Sequence, residues 1–261
     1  MIDSISILGG KGKKGATEPV GRLDLAMGDV VSIVGPTGSG KTTLINDIEL
    51  FADGSTPTGR RILVNGSVPA AEYRDDPAKN PIALITQHTT FLSDLPVGEF
   101  LRTHARIRGI AGAQSDAIVA ETLTFANELT GEAIALGSRM TELSGGQTRS
   151  LLIADATIVC NTPIVLLDEV ENAGIHRTRA LELLRRYRKI FIFVTHDPRI
   201  ALLSDYRVVM QGGEITKVLP TDSTEQRLAT RVTRLDDILS RLRDRSRMGE
   251  RLQEAELEGW A

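Results

Sequence analysis

The chain has 261 residues, of which 41% are hydrophobic and 25% are charged, and its formal net charge at pH 7 is −3. This length allows one large domain or one domain with an inserted lobe, and the small negative charge argues against a nucleic-acid partner held by overall electrostatics. We find no signal-peptide pattern and no run of the roughly 18 to 20 apolar residues that cross a bilayer. The one cysteine, Cys160, cannot form an internal disulfide, and we expect a small buried hydrophobe there rather than a reactive thiol. One cysteine is compatible with a reducing compartment, and we expect a cytoplasmic location.

The first third of the chain predicts β-structure around one glycine- and lysine-rich segment. Residues 9–15 contain four glycines and three lysines, a composition that predicts a mobile basic loop rather than a packed element. Strands are predicted at residues 2–8, within 22–34 (with Val30–Val34 as a buried parallel strand), as a pair within 62–68 that turns at Asn65-Gly66, and at 82–86.

A phosphate-binding loop follows the predicted strand Val30–Val34, and the apolar pattern from Thr42 to Glu49 predicts the helix after it. Glycines let backbone N–H groups surround a β-phosphate, and the helix N-terminus adds partial positive charge. Lys41 can reach the β- and γ-phosphate oxygens, and the Thr42 hydroxyl can ligate Mg²⁺. The predicted nucleotide-binding residues are Gly35, Pro36, Thr37, Gly38, Ser39, Gly40, Lys41, Thr42 and Thr43.

From Leu92 to about Ala156 the pattern becomes helical, which predicts a lobe inserted at about residues 88–156, with one helix beginning at Val97 and another over Asp116–Leu129. Within it lies a second loop suited to an anion, because Ser144 and two glycines precede a helix predicted to run from Gln147 to Ala156. That loop comprises Leu143, Ser144, Gly145, Gly146 and Gln147.

Polar side chains follow three predicted strands. Asp168 and Glu169 end the strand 164–167, where two adjacent carboxylates would repel one another without a cation, so we expect Asp168 to hold Mg²⁺ and Glu169 to activate water. His196 follows the strand 190–194 and could contact a γ-phosphate, the alternative being a core or capping histidine. Gln87 follows the strand 82–86 and could reach Mg²⁺ or the attacking water through its amide oxygen. Taken alone, this residue is weak evidence for such a site. His88, His104 and His176 lack such placement and are expected to be structural or surface residues.

The end of the chain changes character near residue 220. A helix is predicted over 177–188, then a strand pair, 207–210 and 214–219, that turns at Gly212-Gly213. In the charged tail, 220–261, five apolar residues step by four and three like a short heptad seam: Leu228, Val232, Leu235, Leu239 and Leu242. A helix folded back on the core is favoured, a dimer or partner contact is second, and partial disorder is third.

The motifs in this order resemble the nucleotide-binding domain of the ATP-binding cassette (ABC) family over about residues 1–219. The resemblance implies an α/β P-loop NTPase core with a mixed, mainly parallel sheet, an antiparallel β portion near the N-terminus and an inserted helical subdomain. It implies a head-to-tail dimer in which residues 143–147 complete the partner's ATP site. By the same resemblance ATP and Mg²⁺ are the cofactors, Glu169, His196, Lys41 and Gln87 are catalytic, and Thr42, Gln87 and Asp168 serve the metal.

The chain departs from the family pattern at two places. Residues 5–16 contain no aromatic residue to stack on adenine, and Ile175 stands where the family has an aspartate, in the loop 170–175 that contacts the opposite subunit. One hypothesis is that the chain is the ATPase subunit of a transporter, peripheral on the inner face of the cell membrane. A separate transmembrane subunit would then dock near residues 91–97. The alternative is a soluble ABC ATPase that remodels or activates a client protein.

Overall fold

The computed structural model describes residues 1–76, 79–169 and 177–252. Its strands are β1 (Ser4–Leu8), β2 (Arg22–Ala26), β3 (Val30–Val34), β4 (Arg61–Val64), β5 (Ile82–Thr86), β6 (Ile164–Asp168), β7 (Ile190–Val194), β8 (Tyr206–Gln211) and β9 (Glu214–Pro220). Its helices are α1 (Lys41–Glu49), α2 (Glu72–Asp75), α3 (Val97–Ile107), α4 (Ala113–Leu129), α5 (Gly145–Ala154), α6 (Arg177–Arg185), α7 (Pro198–Leu203) and α8 (Ser223–Arg247), with a 3₁₀ turn at Met140–Glu142 and a π-helical turn at Asp155–Val159.

The strands form two sheets. A three-stranded antiparallel sheet has the order β2-β1-β4, and a six-stranded sheet has the order β5-β6-β7-β3-β8-β9, in which only β9 runs antiparallel to its neighbour. Thr86, Asp168 and Val194 lie side by side in register, so the carboxyl ends of β5, β6 and β7 meet at one edge. Ligands of α/β proteins bind at this edge of a parallel sheet.

The central strands are buried on both faces, as their continuous apolar runs predict. Successive side chains of β6 point to opposite faces. Val165 and Leu167 belong to a core that packs against the helices between β5 and β6. Ile164 and Leu166 belong to a second core, shared with α1 and the antiparallel sheet. The six-stranded sheet is therefore the middle of three layers.

The N-terminal region differs from the sequence-based expectation at two points. The segment 9–15 is a loop with its three lysines exposed, as predicted, but its backbone is tied to the turn between β8 and β9 by the Lys13 N–H, which donates to the Gly212 carbonyl at 2.9 Å. In the predicted strand pair 62–68 the first strand and the turn at Asn65-Gly66 form, but beyond the turn only Ser67 pairs with Val64 and no second strand follows within these described residues. The Asn65 carboxamide oxygen accepts from the Asp3 N–H at 2.8 Å, which ties the turn to the start of β1.

The tail helix α8 folds back onto α7, the favoured alternative. Ala229 is buried there, and Asp236 forms an ion pair with Arg199. The small side chain of Ala229 allows close approach, whereas Leu228, Leu235 and Leu239 of the predicted seam are exposed. Within the described ranges, none of the helices has both the length and the apolar content needed to cross a membrane.

Candidate functional site

The loop between β3 and α1 has a conformation that its glycines make possible. A β-carbon on Gly35 would lie 2.3 Å from the Met210 carbonyl oxygen, so a side chain cannot be accommodated. Gly40, which immediately precedes α1, has a left-handed φ of 102°, and Gly38 has a φ of 77°. These are backbone angles that glycine adopts without steric cost. The loop therefore curls closely around the N-terminus of α1, where unsatisfied N–H groups attract anions.

The first residue of α1, Lys41, directs its side chain back into this loop. The Lys41 ammonium donates to the Gly35 carbonyl at 2.9 Å and to the Pro36 carbonyl at 3.3 Å, and its side chain is largely buried. The buried Ser39 hydroxyl has no hydrogen-bond partner among the described atoms. A buried polar group without a partner is costly, and a bound anion beside it would remove that cost. The loop thus has the charge and the donors that a phosphate group requires.

The sheet edge carries the predicted polar residues. Asp168 is the last residue of β6, and Glu169 follows with a left-handed φ of 51°, its N–H donating to the Val194 carbonyl at 3.0 Å. The His196 Nε2 atom lies 3.7 Å from a Glu169 carboxylate oxygen, with both side chains partly exposed. A non-glycine residue at positive φ is uncommon and occurs preferentially at functional sites. The conformation of Glu169 places an acid beside an imidazole at the open edge.

Gln87 connects this edge to the inserted helices. It directly follows β5 and is exposed, and its carbonyl accepts a hydrogen bond from Arg149 of α5. The Arg149 guanidinium also donates to the Gly145 carbonyl at 3.0 Å. One arginine therefore bridges Gln87 and the first turn of the helix that contains the second anion loop.

The second loop is a preformed helix N-terminus. The Ser144 hydroxyl accepts from the Gln147 N–H at 3.3 Å, and the Gln147 carboxamide oxygen accepts from the Ser144 N–H at 2.9 Å, a reciprocal capping box. Ser144 and Gly145 are exposed, Gly146 is half-buried, and Leu143 packs against the helical core. The helix N-terminus thus presents N–H groups to solvent, where an anion from another molecule could bind.

The structure brings together most of the predicted residues. The phosphate loop, Asp168, Glu169, His196 and Gln87 all follow carboxyl ends of adjacent strands. Among the described residues, the side-chain hydrogen bonds of Ser144 and Gln147 remain within their own loop or end on the Glu132 and Ala133 carbonyls. The loop 170–175, with its unusual Ile175, and His176 lie outside the described residues.

Two clusters were missed by sequence reasoning. Arg60 is fully buried and pairs with Glu18 at 2.6 Å and with Asp47 at 3.0 Å, although nothing around these residues signals burial. The second cluster corrects the expectation for Cys160, which is half-buried beside polar groups rather than an apolar core residue. Its sulfur lies 3.8 Å from His104 Nε2, and His104 Nδ1 lies 2.8 Å from Asp155 Oδ1. The hydrogen bond to Asp155, followed by that to Cys160, raises the pKa of His104 to about 10.

The π-helical turn explains why this second cluster was not foreseen. It pairs the Cys160 N–H with the Asp155 carbonyl five residues earlier, at 2.9 Å, and so brings both side chains toward α3. Regular α-helical spacing would have placed residues four apart together instead.

The fold and the sheet-edge residues define a P-loop ATPase of the cassette type. The chain belongs to the ABC transporter family, because residues 21–172 match that family's model. It is similar to an uncharacterized ABC transporter ATP-binding protein of Methanocaldococcus jannaschii, with 47% identity over 96% of this chain and 95% of the relative. The chain is an ATP-hydrolysing enzyme of this family, as its motifs predicted.

Other relatives are similar over part of their length or in fold alone. The sulfate/thiosulfate import ATP-binding protein CysA of Thermosynechococcus vestitus is 34% identical over 75% of this chain, which spans 57% of that protein. A solved post-hydrolysis dimer of an ATP-binding cassette bound to ADP and Pi has a TM-score of 0.63 at 22% identity, covering 84% of this chain and 99% of that one. The α/β fold class is thereby confirmed, and the transporter hypothesis is favoured over the soluble remodelling ATPase.

Proposed function

We propose that two copies of this chain bind two ATP molecules between them, each between the phosphate loop of one copy and residues 143–147 of the other. The observation that carries the proposal is the exposed, capped N-terminus of α5 in a chain that already has a complete phosphate loop. One nucleotide in one copy leaves this second anion site without an obvious ligand. A twofold dimer uses both sites twice.

Mg²⁺ fits the oxygen groups available at the sheet edge. The Thr42 hydroxyl is exposed at the first turn of α1, the Asp168 carboxylate ends β6, and the Gln87 carboxamide follows β5. Hydroxyl, carboxylate and amide oxygens are the donors that Mg²⁺ prefers. When bound, the ion would neutralise charge on the phosphate groups.

The residues around the phosphates then act by position and charge. Lys41 leaves the loop carbonyls for phosphate oxygens, and Ser144 of the partner subunit donates its hydroxyl to the terminal phosphate. Glu169 orients and deprotonates the attacking water, while His196 contacts the terminal phosphate. Loss of that phosphate after hydrolysis removes the contacts across the interface and lets the copies separate.

The exposed apolar segment after Gln87 suits a membrane partner. Leu92 is fully exposed and Leu95 is partly exposed, whereas Phe91 packs against the helical core. The hydrogen bond from Arg149 to the Gln87 carbonyl joins this segment to α5. A displacement of the segment would therefore also displace α5. We propose that a separate transmembrane subunit docks here, with the ATPase peripheral on the cytoplasmic face of the membrane.

The test of the ATP-driven dimer uses Glu169→Gln, which preserves the size of the side chain but replaces the carboxylate base with a neutral amide. With MgATP this variant should elute as a dimer and hydrolyse ATP on the order of 100-fold more slowly than wild type. The double variant Glu169→Gln/Ser144→Arg should bind ATP and remain a monomer. A monomeric Glu169→Gln protein at saturating MgATP would contradict the proposal.

A further inference from the structure

The basic segment 9–15 is built into the phosphate site rather than lying beside it. The Lys13 N–H donates to the Gly212 carbonyl, and the Gly213 N–H donates to the Ser39 carbonyl at 2.8 Å. A β-carbon on Gly213 would lie 3.0 Å from the Lys13 nitrogen, so the two backbones are in close contact. The segment, the β8–β9 turn and the phosphate loop are therefore joined by consecutive backbone hydrogen bonds.

Buried charges hold this junction in place. Glu18 accepts from the Gly10 N–H at 2.7 Å and from the Ile215 N–H at 2.6 Å, and its carboxylate pairs with Arg60. The Arg60 guanidinium also donates to the Gly213 carbonyl at 2.7 Å. Removing either partner of a buried ion pair is costly. The Glu18–Arg60 pair therefore holds the segment and the β8–β9 turn in fixed positions relative to one another.

One side chain of the segment reaches the phosphate loop. The Lys13 ammonium donates to the Gly38 carbonyl at 2.7 Å, while Lys41 donates to the Gly35 carbonyl of the same loop. Lys13 is exposed, so its ammonium group stays in contact with water and its charge carries little desolvation cost. Among the contacts described for this chain, neither Lys11 nor Lys14 makes a side-chain hydrogen bond.

We propose that Lys13 is a second phosphate-binding lysine, which exchanges the Gly38 carbonyl for phosphate oxygens when a nucleoside triphosphate occupies the loop. The exchange replaces a neutral acceptor with an anionic one, so both partners of the hydrogen bond are then ionised and Coulomb attraction is added to it. The four-carbon side chain can make this move by rotation alone. The inference rests on the proposed binding of ATP at this loop. It adds that Lys13 contacts the polyphosphate of the nucleotide and not its base.

The test compares three ligands by titration calorimetry: MgATP, MgGTP and inorganic tripolyphosphate with Mg²⁺. Lys13→Met should raise Kd by about 3- to 10-fold for all three ligands, as expected for one partly exposed charge-assisted bond. The matched control, Lys14→Met, removes the same charge one residue away and should change Kd less than about 2-fold, because exposed charges at a distance are screened. Lys13→Arg, which keeps the charge, should recover most of the affinity.

Three outcomes would overturn the inference about Lys13. Equal Kd values for Lys13→Met and Lys14→Met would show that general charge, not contact, is responsible. A loss confined to MgATP would show a contact with the base. Should both Lys13→Met and Lys13→Arg lose affinity and melt earlier than wild type, packing of the segment would be the cause. Failure of wild type to bind MgATP, or unchanged binding by Lys41→Met, would instead reject the proposed ATP site itself.

Discussion

Replacing Arg60 with methionine removes the centre of the buried charge cluster while nearly keeping its volume. Arg60 is fully buried and pairs with Glu18, also fully buried, and with Asp47, which is almost so. It also donates to the Gly213 carbonyl. The substitution would leave two carboxylates and one carbonyl without their cationic partner.

The expected cost follows from this geometry. Breaking a buried ion pair by removing one partner costs about 3–5 kcal/mol, because the remaining charge stays buried and uncompensated. We therefore expect Arg60→Met to cost about 4 kcal/mol, the middle of that range, which corresponds to about 8–16 °C in Tm for a chain of this size.

The cost should depend on pH in a defined direction. Burial by itself would raise the pKa of Glu18, but hydrogen bonds from Arg60, Gly10 and Ile215 outweigh it and lower that pKa. In the wild type the Glu18 contribution is therefore complete above its unfolded-state pKa and is lost only as the pH falls through the lower folded value. In Arg60→Met the buried, unpaired carboxylates bind protons more readily, and this protonation stabilises the folded variant as the pH falls. The difference in free energy of unfolding between wild type and variant should therefore shrink from about pH 8 to about pH 5.

Urea unfolding followed by circular dichroism at several pH values measures both effects. The matched control is Arg22→Met, because Arg22 pairs with Asp24 on the surface, and we expect little change in its unfolding midpoint. A loss below about 1 kcal/mol for Arg60→Met, or a difference that widens as the pH falls, would refute the reasoning.

Three further predictions concern other parts of the chain. Gly35→Ala should abolish ATP binding, because its β-carbon would meet the Met210 carbonyl oxygen at 2.3 Å, and calorimetry of the folded variant measures this. His104→Gln should lose the ion pair to Asp155. Because the folded-state pKa of His104 is raised from 6.5 to about 10, the wild-type advantage in urea unfolding should be complete below about pH 6.5 and vanish by about pH 10, and a constant difference across this range would contradict the prediction. Leu92→Glu should preserve ATPase activity of the isolated chain and weaken co-purification with a membrane subunit, and unchanged co-purification would contradict that docking surface.

Much of the site was predictable because its residues follow strands of strongly apolar sequence. Continuous β-branched and leucine runs predicted β3, β6 and β7, and the parallel arrangement then requires that Gly35, Glu169 and His196 share one edge. The phosphate loop was predictable for a similar reason, since glycine spacing and a lysine before a helix are local features. The functional roles of these residues, including the metal ligands, stay predictions.

The sequence by itself determined the class of protein, the central sheet and the position of the phosphate loop along the chain. Only the tertiary structure decided which distant polar groups meet. Arg60 and Glu18 are separated by 42 residues and Lys13 and Gly38 by 25, and no periodicity connects them. The physical reason is that local patterns record backbone geometry and burial, which repeat along the chain, whereas charge pairing depends on where loops from different elements come together.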